Sequence, residues 1–272
     1  MKRWNEAWLD RRFAPDRRSR SRHVAIPNSR SETRLPDCLF IAMNKLTTST
    51  RALAGLKQGF IARFKAFVAS PAFPCVGAKS AMNRGRMKFE LYDSLTDDDD
   101  AAALCEQLAE FSREFPEPGV DPVSFVAMFR EPVANEDEFH RALWTHLQAM
   151  HDNDAANHDW DAAVSSDVTD KQFSFSIASR AFFVVGLHPQ SSRLARRAPF
   201  PCLVFNFHDQ FEAMREDGRY AKLQAAVRAR DVALQGAINP VLARFGEASE
   251  AHQYSGRAKA DPGGVAFEAR RA

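Results

Sequence analysis

The chain has 272 residues, 45% hydrophobic and 26% charged, values of a globular protein that exclude a disordered or fibrous one. Its formal net charge of +2 is unevenly held: residues 1–42 carry ten Lys/Arg against five Asp/Glu, and the other 230 carry 27 against 30, a mildly acidic body with no nucleic-acid footprint. Four widely spaced cysteines without a CxxC pair argue against a metal finger or a disulfide scaffold, and no apolar window approaches the 18 residues of a membrane span.

Residues 1–42 are rich in arginine, serine and proline and show no sustained period, so they read as a disordered basic extension. An upstream start with Met43 as the physiological one explains them, and so does a transit-like or basic interaction arm. They lack the apolar core of a signal peptide, and the reduced-thiol pattern points to the cytoplasm. The body, residues 43–258, is expected to be one domain, with residues 259–272 as a tail.

From Ala52 to Ser70, Leu53, Leu56, Phe60, Phe64, Phe67 and Val68 recur at helical spacing, and Pro71 ends the run. A tight loop around Pro74 and a strand over Met87–Tyr92 are expected next. The acidic run Asp97–Asp100 suits the start of a helix over Ala101–Glu114 better than a metal site. Pro122–Arg130 alternates as a strand does. "NEDEFHRALWTHLQAMHDND" places Phe139, Leu143, Leu147 and Met150 on one helical face. Its His140, His146 and His151 lack ligand spacing and read as surface or structural residues. Strands follow at Phe173–Ser179, Ala181–Leu187 and Cys202–Phe207. "DQFEAMREDG" offers a capping box from Asp209 to Glu212 and ends at Gly218, and a last helix spans Tyr220 to about Ile238. The pattern is α+β, a single domain with a mixed or antiparallel sheet flanked by helices. There is no internal repeat, GxGxxG, GxxxxGK[ST] or GxSxG.

Four segments carry chemistry. In "FFVVGLHPQSSRLARR" an apolar strand ends on His188, and Ser191, Ser192, Arg193, Arg196 and Arg197 follow. Guanidinium forks and hydroxyls suit carboxylate or phosphate oxygens, although a surface loop paired to the acidic body has the same composition. His208 stands just before a helix and is either a ligand or a packing residue. If the strands before His188 and after Cys202 pair antiparallel, the two histidines lie at opposite ends, roughly 20 Å apart, and cannot share one metal. Cys75 in "FPCVGAKSA" is either a thiolate or a buried inert thiol. The last segment, Gln235–Arg257, is dense in recognition residues: Asn239, Glu247, Glu250, Gln253, Tyr254 and Arg257.

In this order, "FPCVGAKSA", "GLHPQSSRLARR", "LVFNFHDQFEAMREDGRY", "RARDVALQGAINPVL" and "FGEASEAHQYSGR" resemble the YqcI/YcgG family over about residues 60–258. They resemble in particular its heme-dependent N-hydroxylases of arginine-like guanidino compounds. The resemblance implies protoheme (heme b), dioxygen and a reductant, with His188 as the preferred iron ligand, His208 and Cys75 as rivals, and Ser191, Ser192, Arg193, Arg196 and Arg197 holding propionates. Glu247 and Glu250 would take the cationic guanidino substrate, with Asn239 and Tyr254 orienting it. The electron donor is not named by the resemblance, and a homo-oligomer is compatible with it. The tail "GRAKADPGGVAFEARRA" departs from the tryptophan and Cys-Pro-Phe ending of that family. Two other functions fit the same residues: a non-catalytic heme-binding or sensing protein, and a heme-free enzyme that binds a phosphate or carboxylate through the arginine loop.

Overall fold

A computed structural model describes residues 37–240, 245–257 and 267–269, with side chains from residue 51 onward. The chain divides into two units, Met1–Thr48 and Ser49–Ala272. Residues 1–36 of the expected basic extension, and most of the tail, lie outside the described residues.

Helix α1 runs over Asp37–Ala69, so it starts well before the expected Ala52 and takes in the end of the expected extension. Phe64 and Val68 near its end are buried, whereas Leu53 and Leu56 are exposed. The expected loop at Pro74 contains a further helix, α2 (Val76–Asn83), capped by the side chain of Cys75. Strand β1 is Met87–Tyr92. Helix α3 (Asp98–Glu114) uses the acidic run as its start: Asp97 accepts from the backbone N–H of Asp99 and Asp100, and three aspartates fill the first turn. Strand β2 is Ser124–Phe129, and helix α4 is Glu136–Asp154, capped by Asn135.

Strand β3 is shorter than expected, Phe175–Ile177, and β4 is Arg180–Leu187. The reason is a two-residue hairpin turn. Ala178 and Ser179 both take positive φ, 53° and 57°, where a primed turn ordinarily calls for Gly or Asn. The carboxylate of Asp154 at the end of α4 holds this turn by accepting the Ala178 N–H at 3.0 Å. Strand β5 is Cys202–Phe207. Helix α5 (His208–Glu216) begins at His208 itself, with Phe207 at its cap and no side-chain bond there. The expected capping box is therefore absent, because Asp209 pairs with Arg180 at 2.7 Å and Glu212 with Arg215. Helix α6 (Arg219–Gln235) stops short of Ile238 at Gly236, whose φ of 80° gives a left-handed cap. A single turn, α7 (Ala251–Tyr254), follows.

The five strands form one mixed sheet in the order β1-β2-β5-β4-β3, parallel only between β1 and β2, so the fold is α+β. Its two faces divide the core. On one, Phe125, Ala127, Phe129, Phe182, Val184, Leu203, Phe205 and Phe207 pack under α3 and α4. On the other, Val126, Met128, Leu187, Cys202 and Val204 meet Phe64 and Val68 of α1 with Phe73 and Phe200. Among the described residues no helix is long and apolar enough to cross a membrane.

Candidate functional site

The second face of the sheet is incompletely filled. A cavity of about 270 Å³ lies over β2, β4 and β5 and is walled by α1, α2, α5 and α6. That volume lies just below the roughly 300–1,000 Å³ of ordinary small-molecule sites. Phe64, Phe73, Phe183, Phe211, Met87 and Met214 make it largely apolar. Its polar lining comprises Cys75, Ser124, Asn206, Gln210, Arg193, Arg196, Asp231 and Asn239.

Cys75 is the one expected ligand on this wall. Its Sγ accepts the Ala78 N–H at 3.4 Å, at the positive end of α2. Burial pushes the thiol pKa up, and the Ala78 and Gly77 N–H groups oppose that shift. A metal cation beside Sγ would supply the counter-charge that burial withholds.

Alternation along β4 sends the two halves of "GLHPQSSRLARR" to different places. Leu187 faces the cavity, and the next residue, His188, is turned to the α4 side, where its ring stacks on Phe139 with centroids 4.2 Å apart. His188 is fully buried, and neither ring nitrogen has a hydrogen-bond partner among the described residues. Burial first, then Arg196, depresses its pKa to about 4. Arg193 and Arg196 do line the cavity, but both are engaged with protein. Arg193 donates to Asp231 at 2.5 Å and to the Ala237 carbonyl at 2.8 Å. Arg196 donates to the carbonyls of Gly186 and Tyr254 at 3.1 and 3.0 Å, and burial lowers its pKa to about 10. Gly256 is pressed against it: a Cβ there would stand 2.6 Å from Arg196 Cδ. Arg197 donates to the Ser191 carbonyl, Ser191 Oγ accepts the Arg193 N–H, and Ser192 donates to Glu136. The loop is thus knitted to itself and to its neighbours.

His208 and His188 stand at opposite ends of the β4/β5 ladder, since Leu187 pairs with Cys202 and Phe182 with Phe207 in antiparallel register. The geometric expectation that they cannot share a metal holds. His208 belongs to a separate buried cluster. Its Nδ1 lies 3.8 Å from Glu250 Oε1, its Nε2 lies 3.3 Å from Glu212, and its ring packs on Phe245. Burial lowers the His208 pKa to about 4 and raises that of Glu250 to about 8, favouring the uncharged form of each. The Tyr254 hydroxyl accepts the Phe175 N–H at 2.9 Å and lies 3.4 Å from Glu250. Neither Glu250 nor Tyr254 lines the cavity, and Glu247 is exposed. Of the residues expected to orient substrate, only Asn239 is at the cavity.

The remaining helix histidines are structural: His140 bonds Ser255, His146 bonds the Leu95 carbonyl, and His151 packs edge-on against Trp160. Among the described residues no group of three or more His, Cys, Asp or Glu could hold a metal ion by itself. Sequence reading missed Ser124, Asn206, Gln210 and Asp231. The lone asparagine in the strand "CLVFNF" was the available signal for one of them.

The sequence profile of the YqcI/YcgG family matches residues 64–267, three quarters of the chain. The match includes Phe267, which was expected in the tail but is buried against Trp144, Trp160, Phe173 and Phe175. No curated protein and no solved structure matches the chain.

Proposed function

The chain belongs to the YqcI/YcgG family, and on that premise we propose that its cavity holds a heme used to N-hydroxylate a guanidino compound such as arginine. The observation that carries this reading is the composition of the cavity: an apolar slot with a thiol at a helix N-terminus on one wall and two buried guanidinium groups on another. This donor set suits a protoheme, whose iron, plane and propionates want a soft ligand, apolar walls and cations respectively. Cys75 replaces His188 as the preferred ligand, because His188 lies on the other face of the sheet.

The oxygen chemistry would come from the bound heme with dioxygen and a reductant. The chain's own part is to bind and exclude. Cys75 Sγ, held by the Ala78 N–H, would face the metal. Arg193 and Arg196 would meet the carboxylates, Arg193 shared with Asp231. The phenylalanine walls would keep water from the reacting nitrogen. Because the cavity beside the two arginines is largely apolar, an anion-binding loop acting without heme is the weaker reading.

The test is expression with a heme precursor, followed by the absorption spectrum. A Soret band is expected, and colourless protein after reconstitution would overturn the proposal. Cys75→Ser is expected to remove the thiolate signature, while His188→Ala keeps the heme. Incubation with arginine, reductant and oxygen should add one oxygen mass to the product, whereas a sensor would bind heme and leave arginine unchanged.

A further inference from the structure

The cavity floor has one break in its apolar surface. On the central strand β5, Asn206 is the only polar residue of "CLVFNF", flanked by Ser124 of β2 and Phe183 of β4 in register. Asparagine is a poor strand residue, and an interior strand facing an apolar pocket is where it costs most. Its neighbours on the same floor are Val185, Leu187, Val204 and Phe183.

The bonding of this pair is incomplete. Ser124 donates its hydroxyl to Asn206 Oδ1 at 2.7 Å. The amide nitrogen reaches only long contacts, 3.3 Å to the Phe183 carbonyl and 3.5 Å to the Val204 carbonyl. By the ordinary donor and acceptor inventory, Oδ1 keeps a second lone pair and the Ser124 oxygen keeps its own. Asn206 is also only partly buried, at the cavity surface. Gln210, on the same wall, behaves differently. Its amide is fully used by the Val123 backbone, accepting the N–H at 3.0 Å and donating to the carbonyl at 3.2 Å. Gln210 therefore ties α5 to β2 with its whole amide, while Asn206 bridges Ser124 of β2 and the Phe183 carbonyl of β4 and keeps acceptor capacity toward the ligand space. A polar residue that breaks an apolar cavity floor and keeps free acceptor capacity there marks a functional position.

We propose that Asn206 and Ser124 form the polar handle that orients the ligand in this cavity, accepting hydrogen bonds from a planar nitrogen group. Two adjacent acceptor oxygens suit the N–H edge of a guanidine, amidine or urea and offer nothing to a purely apolar ligand. The choice of probe rests on the function proposed above, but the handle does not require heme.

The experiment uses the full chain, with and without hemin, and measures melting temperature and L-arginine and agmatine binding by calorimetry. Asn206→Leu is expected to melt close to the wild-type temperature, its apolar side chain offsetting the lost partner of the Ser124 hydroxyl, to take up hemin as wild type does, and to lose at least about tenfold in affinity for the guanidino probes. Asn206→Asp, which keeps the acceptors and adds charge, should retain or strengthen that binding. A large fall in melting temperature for both variants would overturn the proposal by making the amide structural. Unchanged probe affinity in Asn206→Leu, or no binding of either probe to wild type, would overturn it too. Hemin uptake without an effect of Asn206→Leu leaves the heme reading standing and removes this one. Probe binding lost in Asn206→Leu, in a protein that takes up no hemin, does the reverse.

Discussion

Phe182 and Phe183 are neighbours on β4, yet only Phe183 reaches the cavity, although its ring also meets Tyr254 of the closed face at 5.9 Å. Phe182 is fully buried, with Phe205 and Phe207 around it, whereas Phe183 lines the cavity and is only partly covered. The α4 side is closed by rings packed on rings: Phe111 stacks on Phe207 at 4.7 Å, and Phe173, Phe175, Trp160 and Phe267 form one connected set. The α2 and α6 side is just as apolar in kind but is not filled by its own side chains. One face is therefore closed by its own side chains, whereas the other leaves room for a ligand beside its core.

The sharpest way to break that comparison is to truncate the adjacent phenylalanines. Phe182→Ala should cost about 3–5 kcal/mol, as removal of a fully packed ring does. Phe183→Ala should cost about 1 kcal/mol, because an open cavity is already beside it. Urea unfolding of the two variants measures this, and equal losses would mean that the two faces are equally stabilising.

A smaller effect concerns the end of the closed face, where Glu250 meets His208 and Tyr254 and feels the charge of Arg215. The Glu250 carboxyl, ordinarily near 4.5, is raised by burial to about 8. The unfolded chain thus releases this proton first, so the stability it gives is full below about pH 4.5 and is lost as pH rises toward 8. His208 runs the other way: with a pKa lowered from 6.5 to about 4, its contribution is full above pH 6.5 and is lost as pH falls toward 4. His146 and His188, depressed to about 4 chiefly by burial, add to the acid-side loss. Glu250→Gln should remove the alkaline loss alone. Between pH 5 and pH 9 the wild type should lose on the order of 3 kcal/mol relative to this variant, read from melting curves across pH. A pH-independent difference would show that Glu250 is ionised in the fold.

Much of this architecture is legible from residue order. β1 and β5 match their apolar runs end to end, because alternation bounded by turn residues leaves one reading. That His188 and His208 fall at opposite ends follows from strand lengths once the pairing is antiparallel, a premise that the register supplies and the sequence only supposes. The hairpin at Ala178 and Ser179 is not legible, since its positive φ values are held by Asp154 from a different element. Helix α2 is hidden for a similar reason: its cap is a cysteine, a side chain outside the usual capping set. The site is harder still to read, because composition cannot say on which side of a sheet a residue falls. His188 and Arg196 are eight residues apart in one loop, and only the pleat sends the imidazole to Phe139 and the guanidinium to the cavity wall.

The smallest predicted effect on stability is at Gly77, in the first turn of α2. A Cβ there would meet only Cys75 Sγ and Leu223 Cδ1 at 3.8 Å, which is ordinary contact. Alanine costs the unfolded chain less entropy to order and suits a helix, so Gly77→Ala should gain about 0.5 kcal/mol. The added methyl also narrows the cavity beside the thiol. On the closed face such an addition has no room: a Cβ at Gly186 would stand 2.7 Å from the Phe139 ring and 2.8 Å from the Tyr254 carbonyl. Gly186→Ala is therefore expected to cost about 1–3 kcal/mol by overpacking. If the cavity holds its ligand against Cys75, Gly77→Ala should melt slightly higher than wild type and take up hemin less readily. A rise in melting temperature with undiminished uptake would place the ligand away from α2, nearer Asn206 and the sheet floor.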